Sequence, residues 1–324
     1  MKRLFFVLLI AGILTGCNLK ELPTEFPTPP PAAQATPIEK ITLKPDAELE
    51  KQITKIAEAA KGKVGVAAVM LETGDAAMLN GNERFPMQSV YKLPISMAVM
   101  DQVRRNELDL DEKIGVTNED MVSERQRSPL RDANPNGGEF TIRELVRLAI
   151  VESDGTASDV LMRIAGGAPQ IQNFLTQIGL KNIRVLNTEK ELILDWQTQY
   201  QNYSTPSEAV ELLRWLDASN KNVASENGTE TEIQTLVRFM AESNPGAKRL
   251  KGELPSGTYV AHKTGTSGTQ NNITAATNDI GIIRLPNGKS FAIAVLVSDS
   301  PADEKTREAV IAKIAKAVWD KWSR

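Results

Sequence analysis

"KVGVAAVMLETGDAAMLN", residues 63–80, decides how the chain is built. Two runs rich in apolar and β-branched residues, "KVGVAAVML" and "AAMLN", flank the turn residues Thr73, Gly74 and Asp75, the pattern of a β-hairpin. Comparable strand patterns return only near the far end of the chain. They are "GTYVAHKTGT", "NDIGIIRL" and "KSFAIAVLVSD", the last two joined through Pro286-Asn287-Gly288. Between roughly Gln88 and Glu242 helical periodicity dominates, in "SVYKLPISMAVMDQV", "TIRELVRLAIV", "PQIQNFLTQIG", "PSEAVELLRWLDA" and "TEIQTLVRFMAE". Amphipathic helices bracket the whole. Leu49, Ile53, Ile56 and Ala60 share a face after Asp46, and Ile311, Ala315, Val318 and Trp322 share one at the C-terminus. This order predicts an α/β (α+β) fold of two lobes: a five-stranded, mainly antiparallel sheet flanked by helices, with an all-helical lobe inserted in its middle. The α/β lobe is expected over about residues 46–87 and 245–324, the helical lobe over about 88–244, with a cleft between them.

The 324 residues are 41% hydrophobic, enough to bury a full core, and a formal net charge of -3 offers no basic stripe for nucleic acid. Lys2 and Arg3 precede an apolar run from Leu4 to Leu14 that ends at "LTGC", which reads as a signal peptide over residues 1–16. Cys17, the only cysteine, directly follows Gly16 in a pattern that resembles the lipobox of bacterial lipoproteins. That resemblance implies lipidation at Cys17 and a membrane anchor in the bacterial cell envelope, on its periplasmic or extracytoplasmic side. An ordinary cleaved signal with an incidental cysteine is the plain alternative. A single cysteine allows no internal disulfide, so stability rests on packing. Six of the 17 prolines fall between Lys20 and Pro37, and residues 17–45 read as an extended, proline-rich tether. The globular part, residues 46–324, is expected to be monomeric.

Chemistry is constrained by what the chain lacks. Its one histidine, His262, sits inside an expected strand, so a Ser-His-Asp triad would have to be built around it, and a multi-histidine metal site is excluded. Three stretches offer other chemistry. Ser89 and Lys92, in "SVYK" at a helix start, lie three residues apart and share a helix face, so the amine can approach the hydroxyl and act as its base. "HKTGT", His262 to Thr266, places a cation, hydroxyls and a glycine on a strand, suited to a carboxylate and to close approach of a ligand. "ESDG", Glu152 to Gly155, falls at a break in the helical lobe, where Ser153 could pass a proton if Lys92 and Lys263 lay near it. Taken singly, each has a bland reading: an N-cap serine beside a surface lysine, a glycine bulge in an edge strand, a turn serine. Gly155 also needs a reason, since glycine inside a helical pattern costs about 1 kcal/mol against alanine.

Together and in this order, S-x-x-K, S-D-x and K-T-G resemble the signature set of class A serine β-lactamases and penicillin-binding proteins, over nearly all of the chain from about Asp46. The resemblance implies a β-lactam substrate, no metal and no organic cofactor. It makes Ser89 the nucleophile and Ser153 the proton relay to the leaving nitrogen. The backbone N–H groups of Ser89 and Thr266 become the oxyanion hole, and Lys263, Thr264, Gly265 and Thr266 the carboxylate site. Either Lys92 or Glu189 acting through a water is the acylation base. Glu189, 36 residues after Ser153 in "LNTEKELILDWQTQYQN", stands at the family's spacing for the glutamate that activates the deacylating water. "TEKEL", "QYQN", "AHKTGTSG", "AATNDIGII" and Asp159 are similar to the extended-spectrum PER and VEB types. Arg249 in "RLKGELPSG" matches an arginine that supports the strand lysine and the substrate carboxylate in some members.

Two positions depart from the family pattern. Gly155 replaces an asparagine that bonds the substrate side-chain amide, and Ile193 replaces an asparagine that helps hold the hydrolytic water. On this reading Gly155→Asn is expected to improve substrates with an acylamide side chain. A D,D-peptidase or penicillin sensor would share acylation but hold the acyl group, and a non-catalytic, envelope-anchored binding protein would not be acylated at all.

Overall fold

The computed structural model describes residues 35, 37, 39–222 and 230–324. The signal peptide, Cys17 and the proline-rich stretch as far as residue 34 lie outside the described residues. The opening hairpin forms as strands β1, Lys63–Met70, and β2, Asp75–Leu79. The late strands are β3, Val260–Thr266, β4, Ile273–Arg284, and β5, Ser290–Ser300. They line up antiparallel as β2-β1-β5-β4-β3, so the early hairpin meets the last strand and β3 is left on an edge. Two strands of two residues each extend the expected five. Lys44–Pro45 pairs parallel with β2, and Thr269–Gln270 pairs with β4. Residues 44–45, read from sequence as the end of the tether, are therefore part of the sheet, and Ala35 is already buried.

Eight helices of ten residues or more complete the described fold: α1, Ala47–Ala57; α2, Lys92–Arg104; α3, Ile142–Val151; α4, Gly155–Ile164; α5, Ala168–Gln177; α6, Pro206–Asn222; α7, Glu232–Glu242; and α8, Glu304–Trp322. The sheet is buried on both faces, which is why β5 reads as a continuous apolar run instead of an alternation. Strand parity sorts its residues: Phe291, Ile293, Val295 and Val297 join the core under α1 and α8, while Ala292, Ala294 and Leu296 join the larger core shared with the helical lobe. Each fully buried Val, Leu or Ile contributes about 1.5–3 kcal/mol relative to exposure. Trp322 closes the outer core edge-on to Phe291 at 5.6 Å. In the helical lobe α2 is buried without a break from Lys92 to Asp101, the mark of a central helix wrapped by others.

Local chemistry sets the helix ends. Asp46 caps α1, accepting the Leu49 N–H at 3.1 Å, and Thr141 and Glu144 form a reciprocal capping box on α3. "ESDG" ends α3 and starts α4, with Asp154 as N-cap and Gly155 as the first helical residue. Gly155 thus stands at the first position of α4 and not in a helix interior, where the propensity cost of glycine applies. Asp154 also braces the lobe: its buried carboxylate takes the Ala157 N–H at 2.8 Å, the Leu130 N–H at 2.7 Å and the Ser128 hydroxyl at 3.0 Å. Among the described residues no helix is long and apolar enough to cross a membrane.

Candidate active site

Ser89 sits on a single 3₁₀ turn, Gln88–Tyr91, that feeds directly into α2. Two devices press this turn against the sheet. The buried Asn278 side chain on β4 donates to the Pro86 carbonyl at 2.7 Å and to that of Met87 at 3.1 Å, and accepts the Val297 N–H at 3.2 Å. Gly265 lets β3 approach, since a Cβ there would stand 2.3 Å from the Met87 carbonyl oxygen. The glycine of "HKTGT" lines the cleft, as expected, but the space it frees is taken by the turn that carries Ser89. Asn278 was invisible to motif reasoning, for nothing in "AATNDIGII" marks it as a tie between strand and turn.

The three motifs meet in one cleft of about 1150 Å³, whose lining includes Ser89, Lys92, Ser153, Glu189, Thr264 and Thr266. The Lys92 ammonium donates to the Ser153 carbonyl at 2.8 Å and lies 3.1 Å from Glu189 Oε2. The Lys263 ammonium donates to the Ser153 hydroxyl at 2.9 Å and to the Thr264 carbonyl at 3.1 Å. Ser153 is thereby held by both lysines, and its φ of 58°, in the left-handed region that a serine seldom occupies, aims it between them. Both lysines are buried. Burial, and then the nearby Lys92 charge, push the Lys263 ammonium well below the ordinary lysine range, which makes it a readier proton donor. Gln88, just before Ser89, is likewise left-handed, at φ 48°.

β3 presents its free edge to Ser89. The Ser267 N–H is bonded to the Ala276 carbonyl, so by strand alternation the Thr266 N–H points away from β4, toward the turn that carries Ser89. Arg249 is buried and does not line the cleft. It donates to the Gly265 carbonyl at 3.2 Å, to the Asn278 carbonyl at 3.0 Å and to the Thr266 hydroxyl at 2.8 Å, and pairs with Glu308 at 3.2 Å. It supports β3 from behind the cleft. His262 has the opposite strand parity to Lys263 and is buried with Nδ1 2.9 Å from Asp279 Oδ1, in line with a structural role. Among the described residues no three His, Cys, Asp or Glu side chains gather at metal-ligand spacing.

Four hydrogen bonds fix Glu189 and its neighbour Lys190. The Glu189 backbone N–H donates to Asp159 at 2.6 Å, and the next N–H, of Lys190, donates to the other oxygen of that carboxylate at 3.1 Å. Gln126 donates to its carbonyl, and the Tyr91 hydroxyl donates to its Oε2 at 2.6 Å. Asp159, an expected subgroup feature, is thus the anchor of the glutamate loop. Burial pushes its carboxyl up to about 7 despite the two backbone donors. Gly155 lies against the same glutamate, where a Cβ would stand 2.8 Å from Glu189 Cγ and 3.2 Å from the Arg127 carbonyl oxygen. The sequence reading of Gly155 as a lost substrate contact changes accordingly: its missing side chain is the space that Glu189 occupies. Ile193 lines the cleft and is exposed.

The chain matches the family described as "Beta-lactamase enzyme family" over residues 48–322. It is 37% identical to β-lactamase VEB-1 of Pseudomonas aeruginosa over 273 residues, covering 84% of this chain and 89% of that protein. Extended-spectrum β-lactamase PER-1 of the same organism is also 37% identical, over 84% of this chain and 86% of its own. The solved structure of TLA-3 extended-spectrum β-lactamase superposes with a TM-score of 0.80 at 42% identity, covering 86% of this chain and 99% of that one. The chain belongs to the β-lactamase enzyme family. Within it, this protein is a serine β-lactamase of class A, similar to the PER and VEB types.

Proposed function

We propose that the protein hydrolyses β-lactams through an acyl-enzyme on Ser89. The Ser89 hydroxyl oxygen attacks the lactam carbonyl carbon, and its proton passes to Lys92 as the Lys92 ammonium yields one to Glu189 across 3.1 Å, or directly to Glu189 through a water. The carbonyl oxygen, now negative, is stabilised by the Ser89 and Thr266 N–H groups, which are fixed in place before the charge develops. The C–N bond then breaks, and the leaving nitrogen takes the Ser153 hydroxyl proton, which Lys263 replaces across their 2.9 Å hydrogen bond. Lys263, Thr264 and Thr266 bind the substrate carboxylate, with Gly265 giving the strand its close approach and Arg249 holding that strand. Once the proton gained in acylation has returned through solvent to Lys263, Glu189 takes a proton from the water that attacks the ester carbon and gives it to Ser89 as the C–O bond breaks.

The observation that carries this reading is the Lys92 ammonium bonded to Ser153 and 3.1 Å from Glu189, beside Ser89. It joins three sequence-distant motifs in one relay and includes the glutamate that a penicillin-holding protein does not need. The test is nitrocefin turnover by the protein lacking residues 1–17, with Ser89→Ala and Glu189→Gln alongside. Turnover by the parent, none by Ser89→Ala and a trapped acyl-enzyme by mass spectrometry in Glu189→Gln are expected. A parent that is acylated but does not turn over is a penicillin sensor or D,D-peptidase, and full activity in Glu189→Gln removes the deacylation role.

The enzyme is further proposed to be anchored at Cys17 on the extracytoplasmic side of a bacterial membrane and to act as a monomer. The sequence "LTGC" and the proline-rich stretch after it support the anchor. The domain scheme proposed with it is a signal over residues 1–16, a tether from residue 17 and a catalytic domain to residue 324.

A further inference from the structure

Tyr91 occupies a variable position of the S-x-x-K motif, between the nucleophile and the lysine, and nothing in the motif assigns it a role. Its side chain is completely buried. Its hydroxyl donates to Glu189 Oε2 at 2.6 Å, onto the same oxygen that the Lys92 ammonium approaches at 3.1 Å. Among the described residues no hydrogen bond reaches Glu189 Oε1. We propose that Tyr91 is a positioning residue for Glu189, its hydroxyl fixing the carboxylate so that Oε1 is the oxygen offered to the deacylating water. The proposal rests on the reading of Glu189 as the base.

The terminal torsion of a Glu side chain is broad and roughly two-fold, so a carboxylate held by one long flexible partner would present either oxygen and sample many tilts. Here two donors from adjacent residues converge on Oε2, and the Cγ lies beside Gly155, where no Cβ keeps it out. The phenol is also a permanent donor. Burial first, then the facing Glu189 and Asp159 carboxylates, raise its ionisation well above the ordinary tyrosine range, so it keeps its proton throughout the working pH range. Lys92 alone could not do this, since it stands between Glu189 and Ser153 in the proton relay, whereas the tyrosine bond persists through both half-reactions. Tyr91 therefore gives no proton to the reaction and touches no reacting atom. It acts through Glu189, at the stage where water must meet a carboxylate oxygen in a fixed direction.

The test is Tyr91→Phe in the otherwise intact chain, which removes one oxygen and keeps the ring that fills the core. Nitrocefin kinetics, stopped-flow acylation and mass spectrometry of quenched steady-state samples are compared with the parent and with Glu189→Gln. The expected result is a kcat lower by about tenfold, the change that about 1.4 kcal/mol of lost transition-state stabilisation produces. KM falls in proportion, acyl-enzyme accumulates, and the acylation rate stays within about twofold of the parent. A merely structural role would lower acylation and deacylation together without accumulation, and that result overturns the proposal, as does a parent-like kcat. The Glu189→Gln arm separates the two readings. If Glu189→Gln is fully active, the base assignment itself fails. If it stalls as an acyl-enzyme while Tyr91→Phe turns over like the parent, only the role of Tyr91 fails.

Discussion

Replacing Gly155 by alanine adds one carbon at the start of α4, and the structure places that carbon 2.8 Å from Glu189 Cγ and 3.2 Å from the Arg127 carbonyl oxygen. Non-bonded carbons are at their optimum about 3.5–4.0 Å apart, so the glutamate must retreat by about 1 Å. The side chain is flexible and can do so, which means the substitution displaces Glu189, the proposed base, instead of unfolding the protein. A misplacement of that size at a reacting group costs about 100-fold. Stability should move the other way. Gly155 has no positive φ, and a Gly→Ala change at a compatible backbone stabilises by about 0.4–1 kcal/mol, mainly by restricting the unfolded chain. The expected signature is a pair of opposite changes: kcat for nitrocefin falls about 100-fold with acyl-enzyme accumulating, while the melting temperature holds or rises. Gly155→Asn should lose at least as much, contrary to the improvement expected from sequence. A Gly155→Ala variant with kcat within twofold of the parent, or an asparagine variant that gains on acylamide substrates, would falsify the argument that Gly155 exists to make room for Glu189.

Two further outcomes are expected, one from the structure and one from the sequence. Asp159 has a carboxyl raised from 3.8 to about 7 in the folded protein, so between those values the native state holds a proton that the unfolded chain has released. Stability must then fall as pH rises from about 4 to 7, by up to roughly 4 kcal/mol from this group, and be flat in this contribution above 7. Urea unfolding at pH 4.5 and 7.5 should show a smaller loss in Asp159→Asn than in the parent, and equal losses would remove Asp159 as the source. For the anchor, cells fed a labelled fatty acid should label the parent and not Cys17→Ser, and label persisting in Cys17→Ser would place the modification elsewhere or discard it.

The strand and helix order was legible because each element carries its own periodicity. β1 and β2 are short apolar runs on either side of a turn at Gly74, and α1, α3 and α8 repeat apolar residues every three or four positions. The short strands at Lys44–Pro45 and Thr269–Gln270 were not legible, since two residues give no period to read. In the site, Ser89, Lys92, Ser153, Glu189 and Lys263 were all named from motif order and spacing, and the structure brings their side chains or turns to one cleft or its wall. Tyr91, Asn278 and Gln126 were not. Each acts on a partner between 63 and 192 positions away, and nothing in its own neighbourhood announces that partner.

What the sequence by itself determined is the set of elements, their order and the inventory of reactive groups, because backbone propensity, turn chemistry and apolar spacing are local properties of the chain. What only the tertiary structure decided is which groups meet and which face away. Parity along β3 sends Lys263 to Ser153 and His262 to Asp279. Close packing decides that Gly155 makes room for Glu189 and Gly265 for the turn that carries Ser89, and that Arg249 works from behind the strand. Such choices depend on distances of a few tenths of an ångström between elements far apart in the chain, and these are set by how the whole core fills its volume.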